Sequence, residues 1–414
     1  MSSELESLGY RPGRWDLSTR WTSERVGAIG PSATITLANR AKALVKKGSN
    51  VIELGGGDPD FETPPHIVQA AAEALYRGYT HYDISRGLSE LREAISRKLA
   101  KENMIAADPD QEILVTPGGK QALVYALLAT VNPGDQVLIP EPCWVSYAPI
   151  VSMAGGEPVF VLTDRGRGFR LDPDNLAAQV TPKTKLLILA NPNNPTGVIL
   201  SKEELGNIAG VVSRYGLLVV ADEVYEKIVF DGKPFTSFAS LGGMAAHTVT
   251  VNSFSKTYAM TGWRLGYMVG HRSIIAAVQK IHEHMATCVS SFSQWGALAA
   301  LRGPQDCVEA MVKVYQERRD SALYELTALK SVSCLRPQGT FYLFMDIGGR
   351  GLASMEVAEL ALERAQVTVA PGLAFGPSGE GYVRLSLAVP TPRFKEGITR
   401  LCEVFSSMQV SNRH

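Results

Sequence analysis

The chain has 414 residues, 45% of them hydrophobic and 20% charged, the composition of a globular protein with a sizeable core and room for two domains. Forty-one basic residues balance forty-one acidic ones, so there is no electrostatic case for nucleic acid or an anionic membrane as partner. No apolar run is long enough to span a bilayer, and residues 1–16 carry early acids and no apolar core segment, so no secretory signal is expected.

Residues 1–30, with Arg14, Trp15, Asp16, Arg20 and Trp21, read as a polar arm lying on another surface. Over residues 31–47 the spacing of Ile35, Leu37, Ala41, Leu44 and Val45 predicts a helix that Gly48 ends. A short strand at 51–54 runs into Gly55, Gly56 and Gly57, which mark either a flexible turn or backbone that approaches something closely. Helices are expected at 66–77 and 88–102, the second capped by Ser89, with the polar aromatic loop Tyr79-Thr80-His81-Tyr82 between them. A buried-type strand at 112–116 leads through Pro117, Gly118, Gly119 and Lys120 into a helix at 121–131. Strand, glycines, helix is the geometry that offers free N–H groups and a positive helix end to a phosphate. Further strands at 136–140, 158–162, 186–190 and 217–221 alternate with helices such as 202–214. That alternation implies a largely parallel sheet covered on both faces, with ligands collecting at the C-terminal strand ends. Trp144, the segment Asn191–Gly197, Asp222–Tyr225 and a lysine loop at 250–264 all fall there.

That loop opens with β-branched alternation, turns polar, and plants Lys256 among small hydroxyl residues. A nucleophilic lysine must be partly desolvated, because its free amine is otherwise protonated at neutral pH. Two hydroxyls, Ser253 and Ser255, and the fork of Arg264 suit a phosphate. Lysine beside a phosphate site points to pyridoxal phosphate held as a Schiff base; a Ser-rich loop with solvated charges is the other reading of these residues alone. Asp222 emerges where a buried strand ends, and a protonated pyridine nitrogen is a fitting partner for its charge, although Asp is also favoured at a helix N-cap. Tyr225 and Asn194 can both reach the ring's phenolic oxygen, and Asn194 also fits a plain Asn-Pro turn. Trp144 either stacks on a ring or belongs to the core.

Beyond residue 300 a long helix at 307–329 precedes strands at 341–346, 367–370 and 382–387, with a helix between the first two, which reads as a separate α+β domain. Arg384 sits in the last, otherwise apolar strand, and either binds an anion such as a substrate carboxylate or faces solvent from an edge strand. Cys143, Cys288, Cys307, Cys334 and Cys402 are odd in number and scattered, as in a reduced cytosolic protein. His282 and His284 are two apart and would not share a helix face, and no metal is expected.

In combination, Asn193-Asn194-Pro195-Thr196-Gly197, Ala221-Asp222-Glu223-Val224-Tyr225 and the stretch from Ser253-Phe254-Ser255-Lys256 to Gly262-Trp263-Arg264 carry a resemblance. From about Pro31 to the C-terminus the chain resembles the class I/II, fold-type I aminotransferases that depend on pyridoxal phosphate, most of all the bacterial aspartate-aminotransferase-like branch. The resemblance implies an α/β fold: a large domain at 51–300 whose mostly parallel sheet is flanked by helices, and a smaller α+β domain formed by 301–414 with 31–50. It implies that Lys256 is the Schiff-base lysine and general base, Asp222 the pyridine partner, and Tyr225 and Asn194 the ligands of the ring oxygen. Gly118, Gly119, Lys120, Ser253, Ser255 and Arg264 would surround the phosphate, and Trp144 would stack on the ring beside the substrate. Arg384, Asn194 and the Gly57 backbone would hold the substrate α-carboxylate. The family is homodimeric with shared sites, so Tyr82 would reach the neighbouring subunit's phosphate. The expected reaction moves an amino group between an L-amino acid and a 2-oxo acid in the cytoplasm. A lyase, decarboxylase or oxidase on the same scaffold is the alternative. A transcriptional regulator would need a fused DNA-binding domain, for which the residues before Pro31 are too few. The segment 284–289 lies near the distal substrate pocket and contains no second arginine, so no dicarboxylate preference is assigned.

Overall fold

Along residues 186–189 four apolar side chains follow one another with no polar alternation, and all four are buried. Leu186 and Ile188 pack with Leu123, Val137, Val220 and Val251, whereas Leu187 and Leu189 pack with Ile208, Val212 and Val219. Successive side chains of a strand point to opposite faces, so this run belongs to a sheet covered on both. The computed structural model describes residues 23–27, 29–30, 33–329, 332–348 and 351–407. Most of the arm expected over residues 1–30, including Arg14, Trp15, Asp16, Arg20 and Trp21, lies outside the described residues.

In chain order the first strands are β1 (Ile52–Glu53), β2 (Ile113–Thr116), β3 (Gln136–Glu141), β4 (Glu157–Leu162) and β5 (Thr184–Ala190). They are followed by β6 (Leu218–Asp222), β7 (Thr248–Ser253) and β8 (Gly266–Val269). Seven of them form one sheet in the order β2-β8-β7-β6-β5-β3-β4. Pairing is parallel from β4 to β7, and β8 runs antiparallel to both β7 and β2, so β8 alone opposes the rest. Helices Gly119–Thr130 and Arg272–Met285 pack together on one face. Helix Lys202–Tyr215 covers the other; Ser201 and Glu204 form its capping box, and Gly216 ends it in the left-handed region at φ 63°.

The later strands are β9 (Ser333–Cys334), β10 (Tyr342–Asp346), β11 (Val367–Thr368), β12 (Ala370–Pro371) and β13 (Tyr382–Ser386). All but β11 build an antiparallel sheet in the order β12-β13-β10-β9, backed by helices Asp306–Leu326 and Thr391–Ser407 through Tyr315, Phe341, Leu343, Leu385, Phe394 and Phe405. β13 is an interior strand, which removes the edge-strand reading of Arg384. β1 pairs in parallel with β11 in a separate two-stranded sheet, and the Ser386 N–H of β13 donates to Leu54 O at 2.6 Å, so the C-terminal part of the chain carries the segment leading to Gly55–Gly57. A buried bidentate pair, Arg318 to Asp60 at 2.8 and 2.9 Å, anchors the far end of that glycine segment to helix Asp306–Leu326.

Two local expectations need correction. Ser89 is not a cap: Leu88 occupies the N-cap position, and the Ser89 hydroxyl donates to Glu90 instead. The helix expected to reach 102 is α-helical only to Lys98, then widens into a π-helical turn, Leu99–Asn103, that Met104 closes at φ 56°.

Candidate active site

Parallel strands that end together bring together whatever follows them. β2 ends before Gly118 and Gly119, β3 before Trp144, β5 before Asn194, β6 at Asp222 and β7 at Ser253; β8, running the other way, starts just after Arg264. These residues, except Gly118, line one cavity of about 440 Å³, together with Lys120, Tyr225, Ser255, Lys256, Gly57 and Arg384. Of the last two, Arg384 comes from β13 and Gly57 from the segment that follows β1. Gly118 lies directly behind the wall, where a Cβ would stand 2.6 Å from the Arg264 guanidinium. Tyr82 does not line this cavity and is 85% exposed.

Lys256 lies in a single helical turn, Phe254–Thr257, that starts as β7 ends; the Ser253 hydroxyl accepts from the Ser255 N–H at 3.1 Å and donates to Leu265 O at 3.1 Å. Its amine donates to Gly57 O. Burial brings its pKa down to about 8; Asp58 opposes the shift, while Arg384, Arg264 and Lys120 add to it. A substantial fraction of the amine is therefore neutral close to physiological pH, as a nucleophile or base requires.

Asp222 is the last residue of β6 and is buried, and no helix follows for it to cap. It accepts from Tyr147 Oη at 2.6 Å and from the Val224 N–H at 3.4 Å. No cation among the described residues pairs with it, and burial raises its pKa against the pull of those two bonds. The opposite deficit occurs at Arg384. Its guanidinium is buried, donates to Asn194 Oδ1 at 3.0 Å and Gly55 O at 2.9 Å, and meets no carboxylate among the described residues. Arg384 Nε is buried without a hydrogen-bond partner. Its guanidinium carbon lies 4.0 Å from the Tyr342 ring centroid and 4.8 Å from that of Phe375. A buried charge without a counter-ion is costly, so both groups are arranged for an incoming charge.

A third region suits an anion. Helix Gly119–Thr130 begins after Gly118, which adopts φ 87°. Ala122 is the first residue whose N–H reaches back to Gly118 O, so the amides before it are free of intrahelical acceptors. The Ser253 side chain packs against Gly119, where a Cβ would stand 3.3 Å away, and Arg264 holds its place by donating to Thr261 O at 2.8 Å. Neither Arg264 nor Lys120 is paired with a carboxylate among the described residues. The Lys120 ammonium lies 4.9 Å over the Trp144 ring, its pKa lowered by burial and by Arg264.

Several cavity residues carry no signal of their own in the sequence, among them Tyr147, Tyr342, Leu37 and Glu53. Tyr147 and Tyr342 sit in apolar surroundings and look like core; Trp144, three residues before Tyr147, was the one available signal. Leu37 reaches the cavity from helix Ala33–Lys46, together with Glu53 of β1. Among the described residues no group of His, Cys, Asp or Glu is arranged to hold a metal ion. His282 is buried against Tyr125 Oη at 3.2 Å, far in character from a ligand.

The family model for aminotransferase class I and II matches residues 49–404. An aspartate aminotransferase of Pyrococcus abyssi is 44% identical, over 94% of this chain and 99% of its own. Aromatic-amino-acid aminotransferase 2 of Thermococcus litoralis is 41% identical over the same shares. The crystal structure of the aspartate aminotransferase from Rhizobium meliloti superposes with a TM-score of 0.90 at 37% identity, covering 94% of this chain and 99% of that one.

Proposed function

Since the chain belongs to the class I and II aminotransferases and moves an amino group between an amino acid and a 2-oxo acid, we propose that it does so with pyridoxal 5'-phosphate held in this cavity. The observation that carries the reading is the unmatched charge beside Lys256: among the described residues no cation pairs with the buried carboxylate of Asp222 and no carboxylate with the buried guanidinium of Arg384. The residues fit the cofactor. Asp222 would face its protonated ring nitrogen, and Tyr225 and Asn194 its ring oxygen. Gly118, Gly119, Lys120, Ser253, Ser255 and Arg264 would hold its phosphate, and Trp144 would cover the ring. When bound, the cofactor supplies an aldehyde that takes up the amino group and a ring that accepts the electron pair left by Cα–H cleavage.

The chain's own part is binding and proton transfer. Arg384, steadied by Asn194, takes the substrate α-carboxylate in its fork, and the Gly57 backbone lies beside it. Lys256 Nζ, its pKa brought down to about 8, removes the Cα proton in its neutral form and holds it for return. Tyr147 keeps Asp222 in place and charged against the effect of burial.

We read the protein as a homodimer. Val68, Leu75, Tyr76, Tyr82, Ile84 and Met285 are exposed large apolar side chains on one stretch and the helix end near it, with Asp83 touching Cys288. In that arrangement Tyr82 would serve the neighbouring subunit. Residues 51–300 would act as the cofactor-binding domain and 301–414, with 31–50, as the smaller one. Five free cysteines suit the cytoplasm. No helix among the described residues is long and apolar enough to cross a membrane.

The test is a half-reaction. An accepted amino acid, given alone, converts the bound cofactor stoichiometrically to its amine form, and a 2-oxo acid then restores the aldehyde form and releases a new amino acid. Continuous consumption of one amino acid, with ammonia, carbon dioxide or peroxide accumulating, would instead place a lyase, decarboxylase or oxidase on this scaffold.

A further inference from the structure

Tyr342 makes three contacts that no sequence motif announces. It stands in β10, buried, with its N–H held by Thr340 Oγ1 at 3.2 Å. Its hydroxyl lies 3.1 Å from the Tyr225 hydroxyl. The same hydroxyl stands 2.5 Å from the place a Cβ would take on Gly57. Its ring centroid is 4.0 Å from the Arg384 guanidinium carbon, the shortest cation–ring approach among the described residues.

Each contact constrains a group proposed above to act. Tyr225 has one hydroxyl proton, and if it donates that proton into the cavity it must accept in the bond to Tyr342. Tyr342 is then the donor, and its donation polarises the Tyr225 O–H and strengthens it as a donor. Arg384 meets no carboxylate among the described residues, so its position between substrates rests on Asn194, Gly55 O and the faces of two rings. We infer that Tyr342 is a positioning residue with two separable parts: its ring holds Arg384 ready for the substrate carboxylate, and its hydroxyl orients Tyr225 toward the cofactor's ring oxygen. The inference rests on the functional reading of the cavity given above.

Two variants of the holoenzyme separate the parts: Tyr342→Phe keeps the ring, and Tyr342→Leu removes it. The first measurement is calorimetric titration with maleate and with 3-phenylpropionate, carboxylates that lack an amino group and cannot react. Tyr342→Phe should bind within about twofold of the parent, whereas Tyr342→Leu should bind roughly 5- to 30-fold more weakly, the range of a desolvated cation–ring contact. The second is the pH at which the visible absorbance of the bound cofactor changes. A hydroxyl donating to an anionic oxygen lowers that oxygen's hold on a neighbouring proton, so weakening the donor moves the midpoint upward. Tyr342→Phe should raise the midpoint, by less than Tyr225→Phe does. Equal carboxylate binding in Tyr342→Leu and the parent overturns the role of the ring, and an unmoved midpoint in Tyr342→Phe overturns that of the hydroxyl. If Tyr342→Leu does not fold, Tyr342→Met, similar in volume and without a π face, replaces it. A parent that takes up cofactor and binds a carboxylate while the variants match it refutes only Tyr342. A parent that does neither refutes the functional reading, and this inference with it.

Discussion

Tyr147→Phe removes one oxygen atom and tests whether Asp222 is held as a charged group. Both ends of the Tyr147–Asp222 bond are buried, and at 2.6 Å it is in the charge-assisted range. Without it, the Val224 N–H at 3.4 Å is the remaining partner among the described residues. A hydrogen bond to a charged group contributes about 1.5–3 kcal/mol, which corresponds to roughly 10- to 150-fold at about 1.4 kcal/mol per decade. The phenylalanine ring keeps the edge-on packing on Trp144, at 5.4 Å between centroids, so the fold should survive. We expect kcat/KM for the amino-acid donor to fall by that factor. Burial already raises the Asp222 pKa and Tyr147 opposes it, so the loss should be greatest at low pH and the acid limb of the rate profile should move upward. The decisive comparison is a double-mutant cycle. In an Asp222→Asn background, where no charge remains to be held, Tyr147→Phe should cost less than about threefold, since a neutral pair contributes far less. Equal losses in both backgrounds, or no loss in the parent, would refute the argument.

Cofactor-free protein should take up pyridoxal phosphate at a rate that rises with pH about a midpoint near 8, because the lowered pKa leaves the Lys256 amine neutral above that pH. A midpoint near that of an ordinary lysine would show that the amine is not desolvated, and Lys256→Ala should abolish covalent uptake altogether. Gly57→Ala should lower the melting temperature and turnover, since its Cβ would meet the Tyr342 hydroxyl at 2.5 Å. Adding Tyr342→Phe should relieve much of that loss, because the next atom, Tyr342 Cζ, is at 3.7 Å; a double variant worse than both singles would contradict the geometry. Mixing Lys256→Ala with Tyr82→Phe subunits should give more activity than the mean of the two homodimers, because a hybrid with shared sites has one undamaged site. Activity equal to that mean would place Tyr82 in its own subunit's chemistry or outside it.

The sheet was legible because its signal is local. The apolar runs at 186–190 and 217–221 announce two-sided burial wherever they occur, and Asp222 stands out because a charge ends such a run. The reversal of β8 was not legible, since strand direction depends on which neighbour the strand finds, and β7 and β8 are joined by the lysine loop. Ser89 misled because residue type alone does not say where a helix begins: Leu88, at φ −51° and ψ 134°, takes the cap position and leaves Ser89 inside the first turn. Tyr147 and Tyr342 were passed over because a tyrosine in apolar company looks like core until the partner of its hydroxyl is known.

What the sequence determined by itself is the set of chemically unusual residues and the strand ends on which they sit: Lys256 among hydroxyls, Asp222 closing β6, Gly118 and Gly119 opening a helix, and Arg384 inside an apolar strand. Composition and period report which groups leave water, and that is a property of a window of a few residues. Only the tertiary structure decided how those buried groups are answered. Tyr147 meets Asp222 across 75 residues of chain, Asn194 meets Arg384 across 190, and Gly57 meets Lys256 across 199. Two charges, Asp222 and Arg384, emerge from that pairing with no counter-ion among the described residues. Desolvating a charge is unfavourable wherever it happens, but whether a partner waits for it depends on chain segments brought together from far apart.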